Sequence, residues 1–107
     1  MDAQLRRALL ECCVLATLQE GDSYGYRIVR AVSPHIPITE STLYPILRRL
    51  ETAELLTVRS AEHNGRLRKY YRITEAGLSR IQAFKEEWRE VMSIYSFVTK
   101  GDTEAHG

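Results

Sequence analysis

The stretch TESTLYPILRRLE, residues 39–51, decides how the rest of the chain is interpreted. Its aliphatic residues recur at the spacing of one helical face: Leu43, Ile46, Leu47 and Leu50. A proline inside a helix removes a backbone donor and costs about 3 kcal/mol, whereas in the first turn that N–H has little to bond with. Pro45 therefore predicts that the helix begins close by, with Thr39, Ser41 or Thr42 as its N-cap.

The opposite face of this helix carries residues that suit an anionic partner. It holds Ser41, Pro45 and Arg48, flanked by Tyr44 and Arg49. A helix that only faces water more typically carries Glu and Lys in i, i+4 pairs. We therefore expect this face to contact something negatively charged.

Length and composition indicate one small domain. The chain has 107 residues, of which 44% are hydrophobic, so it can bury one core. No apolar run approaches the ~20 residues that span a membrane, and the N-terminus lacks the order of a signal peptide, so we expect a cytoplasmic protein with no membrane partner. Cys12 and Cys13 are adjacent and lack nearby histidine or cysteine partners. We interpret them as small residues packed in a helix, and we expect neither a metal nor a cofactor.

The distribution of charge is more informative than its total of +1. Residues 1–74 hold 11 Lys/Arg and 8 Asp/Glu, a balance of +3, whereas residues 75–107 hold 4 and 6, a balance of −2. The segment HNGRLRKYYR, residues 63–72, contains four cations and no acid: Arg66, Arg68, Lys69 and Arg72. Local charge of this kind favours contact with phosphates.

Periodicity and turn residues predict four helices and a hairpin. The first helix covers about residues 5–19 and is apolar nearly all round, so it must be covered on two sides. Ser23 is expected to cap a second helix over residues 24–33, after which Pro34 and Pro37 keep the chain extended.

The segments LLTVRSAEH and RLRKYYRI read as two strands joined at Asn64-Gly65, a dipeptide that favours a tight hairpin. Thr74 is then expected to cap a long last helix.

Three helices followed by a basic hairpin predict a winged helix-turn-helix, an α+β fold that is mainly helical. Residues 1–74 would form the DNA-binding domain, residues 75–100 a C-terminal dimerisation helix and residues 101–107 a flexible tail. In this arrangement the third helix enters the major groove, and the hairpin reaches the backbone or minor groove beside it.

Three segments in the same order, YGYRIV, ESTLYPILRRLE and RKYYRITEAG, resemble the PadR family of transcriptional regulators. The resemblance covers roughly residues 5–98. It implies a homodimeric winged-helix protein that binds double-stranded operator DNA, usually as a repressor, and is released by a small effector or by a change in the dimer. One C-terminal helix in place of a multi-helix domain resembles the short class of the family.

The expected DNA contacts come from the second helix, the third helix and the hairpin. They are Tyr24, Gly25, Ser41, Thr42, Tyr44, Pro45, Arg48, Arg49, Asn64, Arg66, Arg68, Lys69 and Tyr70. Alternation along the strand assigns Tyr71 to the core. Two alternatives stay open, because Tyr24 could simply pack against the wing and the hairpin cations could simply be solvated.

The last helix is expected to supply the dimer interface. Its seam residues are spaced 3, 4, 3, 4 and 3 apart, as in a coiled coil: Ile81, Phe84, Trp88, Val91, Tyr95 and Val98. Met92 joins this seam, and Leu9 and Cys13 of the first helix face it across the dyad. The alternative is that the seam packs only on the core of its own chain.

Trp88 has a second interpretation that comes from the resemblance. In the multidrug-sensing regulators of the family, the tryptophan at the matching place stacks flat aromatic compounds between subunits. Trp88 is thus expected to bind a small planar hydrophobic effector, or else to be dimer core.

The residues assemble no recognisable catalytic arrangement, so we do not expect an enzyme. The alternative function is a winged helix used for protein interaction, with the basic hairpin facing an acidic partner. Salt-dependent binding of duplex DNA separates the two.

Overall fold

The computed structural model describes residues 1–102 as four helices and two strands. In chain order they are α1 (Ala3–Gln19), α2 (Gly25–Val32), α3 (Glu40–Thr52), β1 (Leu56–His63), β2 (Arg66–Ile73) and α4 (Glu75–Val98). Residues 100–102 form one further helical turn, and the remainder of the expected flexible tail lies outside the described residues. The architecture is the predicted α+β, mainly helical winged helix-turn-helix with a long C-terminal helix.

Side-chain caps mark the start of three helices. Asp2 accepts from the N–H of Leu5 at 3.0 Å, so α1 begins two residues earlier than expected. Thr39 accepts from the N–H of Thr42 at the start of α3, and Thr74 accepts from that of Gly77 at the start of α4. The predicted capping role of Thr74 is confirmed, and of the three candidate caps for α3 it is Thr39 that caps the helix.

The region around α2 departs from the sequence-based interpretation. Tyr24 occupies the N-cap position without a side-chain hydrogen bond, so the prediction that Ser23 caps α2 is wrong. Ser23 instead exchanges two backbone hydrogen bonds with Tyr71, of 3.2 and 2.8 Å, which tie the start of α2 to β2. The segment after α2 first turns, because the N–H groups of His35 and Ile36 both donate to the carbonyl of Val32. Its extended part begins only at residue 37.

Pro45 lies in the second turn of α3. The helix begins at Glu40, and the N–H of Leu43 already donates to the carbonyl of Thr39 at 2.9 Å. The expectation of a first-turn proline is therefore wrong. Because Pro45 has no N–H, the carbonyl of Ser41 cannot accept the usual bond from four residues ahead. Both residues are exposed, so water can hydrate that carbonyl.

The core lies where α1, α2 and α3 meet the hairpin and the start of α4. Its buried members are Leu10, Val14, Leu15, Leu18, Ile28, Val32, Ile36, Ile38, Leu43, Ile46, Leu47, Leu50, Leu56, Tyr71 and Ile81. The predicted stripe of α3 is thus entirely buried, and Tyr71 is a core residue as expected. Ile81 is only 5% exposed, so the first residue of the expected dimer seam packs within its own chain.

The hairpin is a regular antiparallel ribbon that runs from the Leu56–Ile73 pair to the His63–Arg66 pair. Asn64 and Gly65 both have positive φ, 53° and 78°, which matches the tight turn predicted from this dipeptide. Strand β2 packs on α1 and α4, and β1 packs on α3. The ribbon therefore stands beside α3 as a wing.

Helix α4 extends away from this core. All ten residues from 89 to 98 are exposed. The molecule measures 62 × 25 × 23 Å, an elongated shape for so small a chain. No helix among the described residues is both long enough and apolar enough to cross a membrane.

Candidate nucleic-acid interface

The outward face of α3 is exposed along its whole length. The residues expected there from the helical wheel are all exposed: Ser41, Tyr44, Pro45, Arg48 and Arg49. Thr42, another expected DNA contact, is exposed beside them. At the start of the helix, the Thr39 hydroxyl lies 3.1 Å from that of Ser41 and 3.2 Å from that of Thr42. Hydroxyls that both donate and accept suit the edges of bases and the oxygens of phosphates alike.

The two arginines of α3 have different surroundings. The Nε atom of Arg49 lies 3.5 Å from a carboxylate oxygen of Glu11 in α1, so part of its charge is already balanced. Within the described residues, no carboxylate lies within 4.0 Å of the Arg48 guanidinium. Arg48 also lines a hollow between α3 and the wing together with Lys69. It is therefore the better placed of the two for an external anion.

Gly25 serves the packing of α2 against α3. A Cβ atom on Gly25 would lie 2.6 Å from the hydroxyl oxygen of Tyr44 and 3.1 Å from its ring. Gly25 is itself buried, and what an added Cβ would meet is the far end of the Tyr44 side chain. The expected phosphate contact at the start of α2 stays a prediction that concerns its backbone N–H groups.

Tyr24 packs against the wing, which is the alternative that the sequence left open. Its ring meets that of Tyr70 edge to face at 5.7 Å, and the guanidinium of Arg68 lies 3.9 Å from its centroid. The guanidinium of Arg59, the cross-strand partner of Tyr70, lies 5.0 Å from the Tyr70 ring. Tyr70 and Arg68 are consequently half-buried and less free than the sequence suggested.

Asp22 anchors the base of the wing from the loop before α2. It accepts from Arg72 at 3.0 Å and from Arg59 at 3.4 Å. The hydrogen bond from Arg72 is the main reason that the pKa of Asp22 lies below its ordinary value. Among the four cations of β2, Arg72 is thus paired, whereas Arg66 and Lys69 are exposed and have no ion pair within the described residues. Asn64 lies exposed at the tip.

Helix α2 adds two residues that the sequence reasoning missed. Arg27 is exposed and its guanidinium lies 5.0 Å from the Tyr24 ring, and Tyr26 is 55% exposed. In helix-turn-helix proteins this helix crosses the DNA backbone. The helical-wheel argument applied to α3 would have found both, because the segment YGYRIVR contains no acid.

A second surface lies between α1 and α4. It is an open groove of about 390 Å³ lined by Leu5, Ala8, Leu9, Phe84, Glu87, Trp88, Glu90, Val91 and Ile94. Phe84 and Trp88 stack within it, with ring centroids 5.5 Å apart and planes inclined by 25°. The groove holds four of the nine residues expected at the dimer interface.

The other five expected interface residues differ in exposure. Met92, Tyr95 and Val98 are 49%, 59% and 70% exposed along α4. Cys13 is half-buried and packs against the core, and Ile81 is buried there. Burial raises the pKa of both Cys12 and Cys13, so their thiols stay protonated at neutral pH. The described residues contain no cluster of three or more potential metal ligands.

Comparison with known proteins gives consistent results. The chain matches the Transcriptional regulator PadR-like family over residues 14–83. It is 31% identical to Transcriptional regulator Rv3488 of Mycobacterium tuberculosis, over 94% of this chain and 98% of that protein. A PadR family transcriptional regulator from Eggerthella lenta is 36% identical and superimposes with a TM-score of 0.79, over 89% of this chain and 85% of the other.

A more distant structure shares the fold. Bacillus subtilis PadR in complex with operator DNA is 22% identical and has a TM-score of 0.67, over 71% of this chain and 46% of that one. The family match covers more than half of the chain, and the two nearer relatives match most of their own length. The chain therefore belongs to the PadR-like family of transcriptional regulators.

Proposed function

We propose that the protein is a homodimeric repressor that places α3 in the major groove of operator DNA and the wing on the adjacent backbone. One observation carries this proposal: Arg48 of α3 and Lys69 of the wing line one hollow together with a single acidic residue, Glu51, and neither cation has an ion-pair partner within the described residues. Two unpaired cations that face the same space suit a polyanion, since phosphate neutralisation supplies much of the affinity of DNA-binding proteins.

The likeness to Bacillus subtilis PadR supports this use of the fold, because that protein was solved with operator DNA. In the corresponding docking, the N-terminal half of α3 contacts base edges and α2 crosses the backbone. Arg48 would bind a guanine edge, and Tyr26, Arg27, Arg66 and Lys69 would contact phosphates.

The exposed half of α4 supports the homodimer. Val91, Ile94 and Phe97 are 41%, 55% and 78% exposed. Met92, Tyr95 and Val98, on the same stretch of α4, are exposed as well. A contiguous apolar surface of this kind is unusual on a monomer. A second α4, packed along this surface and into the groove beside α1, would cover it. The two wings would then be related by a dyad, so the operator would be an inverted repeat with half-sites about one helical turn apart.

The same groove supports a small planar hydrophobic effector. Trp88 stacks on Phe84 at the floor of the groove, and a flat ring could add to this pair or displace Phe84 from it. In the proposed dimer, α4 would set the angle between the two DNA-binding heads. A ligand that binds more tightly at one head angle than at another would favour that angle, and DNA affinity would change by at most this difference in ligand affinity.

Selection of bound fragments from the source genome tests the DNA-binding part of the proposal. We expect enrichment of inverted repeats, with hydroxyl-radical protection of two half-sites on one face of the helix. Capture of no fragments, together with salt-dependent binding of an acidic protein, would instead support the protein-interaction alternative.

The fluorescence of Trp88 tests the effector part, because this is the only tryptophan in the chain. A planar compound should quench Trp88 and weaken operator binding in the wild type, and it should leave operator binding unchanged in a dimeric Trp88→Ala variant. An equal effect on both proteins would place the effector elsewhere.

A further inference from the structure

Two neighbouring cations of β2, Arg68 and Lys69, occupy different environments. The guanidinium of Arg68 lies over the ring of Tyr24, at 3.9 Å from its centroid, and the side chain is half-buried. Lys69 is exposed and faces the hollow that it shares with Arg48. Successive residues of a strand point to opposite faces, which explains why adjacent cations differ so much.

Arg68 ends a chain of contacts that we call the wing clamp, formed by Arg68, Tyr24, Tyr70, Arg59, Asp22 and Arg72. The Tyr24 ring meets Tyr70 at 5.7 Å, and the guanidinium of Arg59 lies 5.0 Å from the Tyr70 ring. Arg59 and Arg72 both bind Asp22. The wing clamp therefore joins both strands of the hairpin to the loop before α2 and to the N-cap residue of that helix.

The wing needs such a connection because a two-stranded ribbon is only marginally stable by itself. The backbone bridge between Ser23 and Tyr71 holds only its base. Toward the tip, Leu67 is 80% exposed and gives no hydrophobic anchor. The contact between Arg68 and Tyr24 is thus the wing-clamp contact nearest to the tip.

The environment of Arg68 also makes it a poor donor to DNA. A guanidinium is attracted to the face of an aromatic ring, and the attraction grows as water is excluded from it. A phosphate contact would compete with this arrangement, whereas the exposed Lys69 and Arg66 can reach a phosphate with no internal contact to break.

We infer that Arg68 is a positioning residue, which fixes the wing against α2 by stacking on Tyr24, and that Lys69 and Arg66 supply the wing's phosphate contacts. This inference rests on the proposed DNA binding and deepens it. It assigns different roles to two adjacent cations of one strand. Their equal charge alone would predict the same role for both.

Titrations of a mixed-sequence DNA duplex over a series of NaCl concentrations test the two roles. Lys69→Ala should reduce the slope of log affinity against log salt by about 0.9, the value of one phosphate contact. Arg68→Ala should leave the slope unchanged and lower affinity roughly two- to fivefold at every salt concentration, as expected for one lost cation–π contact. An equal reduction of the slope by both variants would overturn the inference.

Amide hydrogen exchange without DNA gives an independent readout. In the free protein, Arg68→Ala should speed exchange in β1 and β2, whereas Lys69→Ala should not. Arg68→Lys, which keeps a cation for the Tyr24 ring, should restore part of the protection. Unchanged wing exchange in Arg68→Ala would refute the positioning role even if DNA binding were intact. Absence of salt-dependent DNA binding by the wild type would instead refute the proposed function.

Discussion

At the scale of single residues, the interface depends on which cations are already paired inside the chain. Arg49 has Glu11, and Arg72 has Asp22, whereas Arg48 has no carboxylate partner within the described residues. Charge counted along the sequence treats all of them alike. The partners lie 38 and 50 residues away in the chain, so only the folded structure separates the free cations from the paired ones.

Arg48→Ala should therefore weaken operator binding more than Arg49→Ala. A lost base contact costs about 1–3 kcal/mol and relaxes specificity at one position. Arg49→Ala removes an arginine already paired with Glu11, so its effect on the operator should be smaller. Titrations of both variants against operator and against operator changed at single positions measure the difference. Equal losses for the two variants would contradict this assignment.

Asp22 should make stability depend on pH in the acid range. Its pKa in the folded protein lies below the ordinary value of 3.8, chiefly because Arg72 donates a hydrogen bond to its carboxylate. The contribution to stability is therefore fully present above that value and is lost as the pH falls through the folded pKa. In urea melts, the stability difference between wild type and Asp22→Asn should be constant near neutrality and should shrink below pH 3.8. Glu62→Gln, which changes an exposed wing carboxylate that has no ion pair within the described residues, is the matched control.

At the scale of elements, the contact between α4 and the hairpin depends on a glycine. A Cβ atom on Gly77 would overlap the backbone carbonyl oxygen of Leu55 and would lie 2.5 Å from Cγ1 of Ile73. A backbone atom cannot swing aside as a side chain can. The first turn of α4 is thus fixed close to the base of the wing, from which the rest of the helix extends.

Gly77→Ala should lower the free energy of unfolding by about 1–3 kcal/mol, the usual cost of overpacking a core. Gly101→Ala is the matched control, because nothing lies within 4 Å of the added Cβ atom. Both variants gain the same intrinsic preference of alanine for helix. Chemical denaturation of the two proteins isolates the steric effect, and equal stabilities would show that α4 does not pack so closely.

The elements were predictable where their signals are local. Asn64-Gly65 defines the hairpin turn, and Thr39 and Thr74 define helix starts, because each acts on residues within a few positions. The prediction that Ser23 caps α2 failed because the backbone N–H and carbonyl of Ser23 form hydrogen bonds with Tyr71, in a strand about fifty residues later. The stacking of Arg68 on Tyr24 and the close approach of Tyr44 to Gly25 are likewise non-local. The residues of the candidate site were therefore largely predictable, whereas their division into free and internally engaged groups was not.

At the scale of the whole molecule, the chain has a head that carries the candidate interface and an exposed apolar stretch of α4 that extends away from it, in a body 62 Å long. Residues 1–74, which form the head, carry the net positive charge of the sequence, and residues 75–107, which include α4, carry the net negative charge. Dimerisation through α4 would hide the apolar surface and hold two heads at a fixed separation. Assembly and tight DNA binding should then be lost together.

Val91→Glu should separate the dimer. Val91 is 41% exposed beside the groove, and in a dimer the substitution would bury carboxylates near the dyad without partners. Sedimentation should give about twice 12.3 kDa for the wild type and a single chain for the variant, whose operator affinity should fall steeply. Lys85→Glu, an exposed change outside the groove, controls for the added charge and should stay dimeric. A monomeric wild type that binds its operator tightly would contradict the proposed assembly.

The most direct test of the central claim is an equilibrium titration of the wild-type protein against its selected operator and against a scrambled duplex of the same length and composition. At physiological salt, α3 in the major groove predicts at least a thousandfold preference for the operator, roughly the lower limit for specific DNA-binding proteins. Affinity for both duplexes should fall as salt rises, because the proposed wing contacts are with phosphates, which both duplexes carry. Equal affinity for the two duplexes would contradict the claim that this surface recognises a DNA sequence.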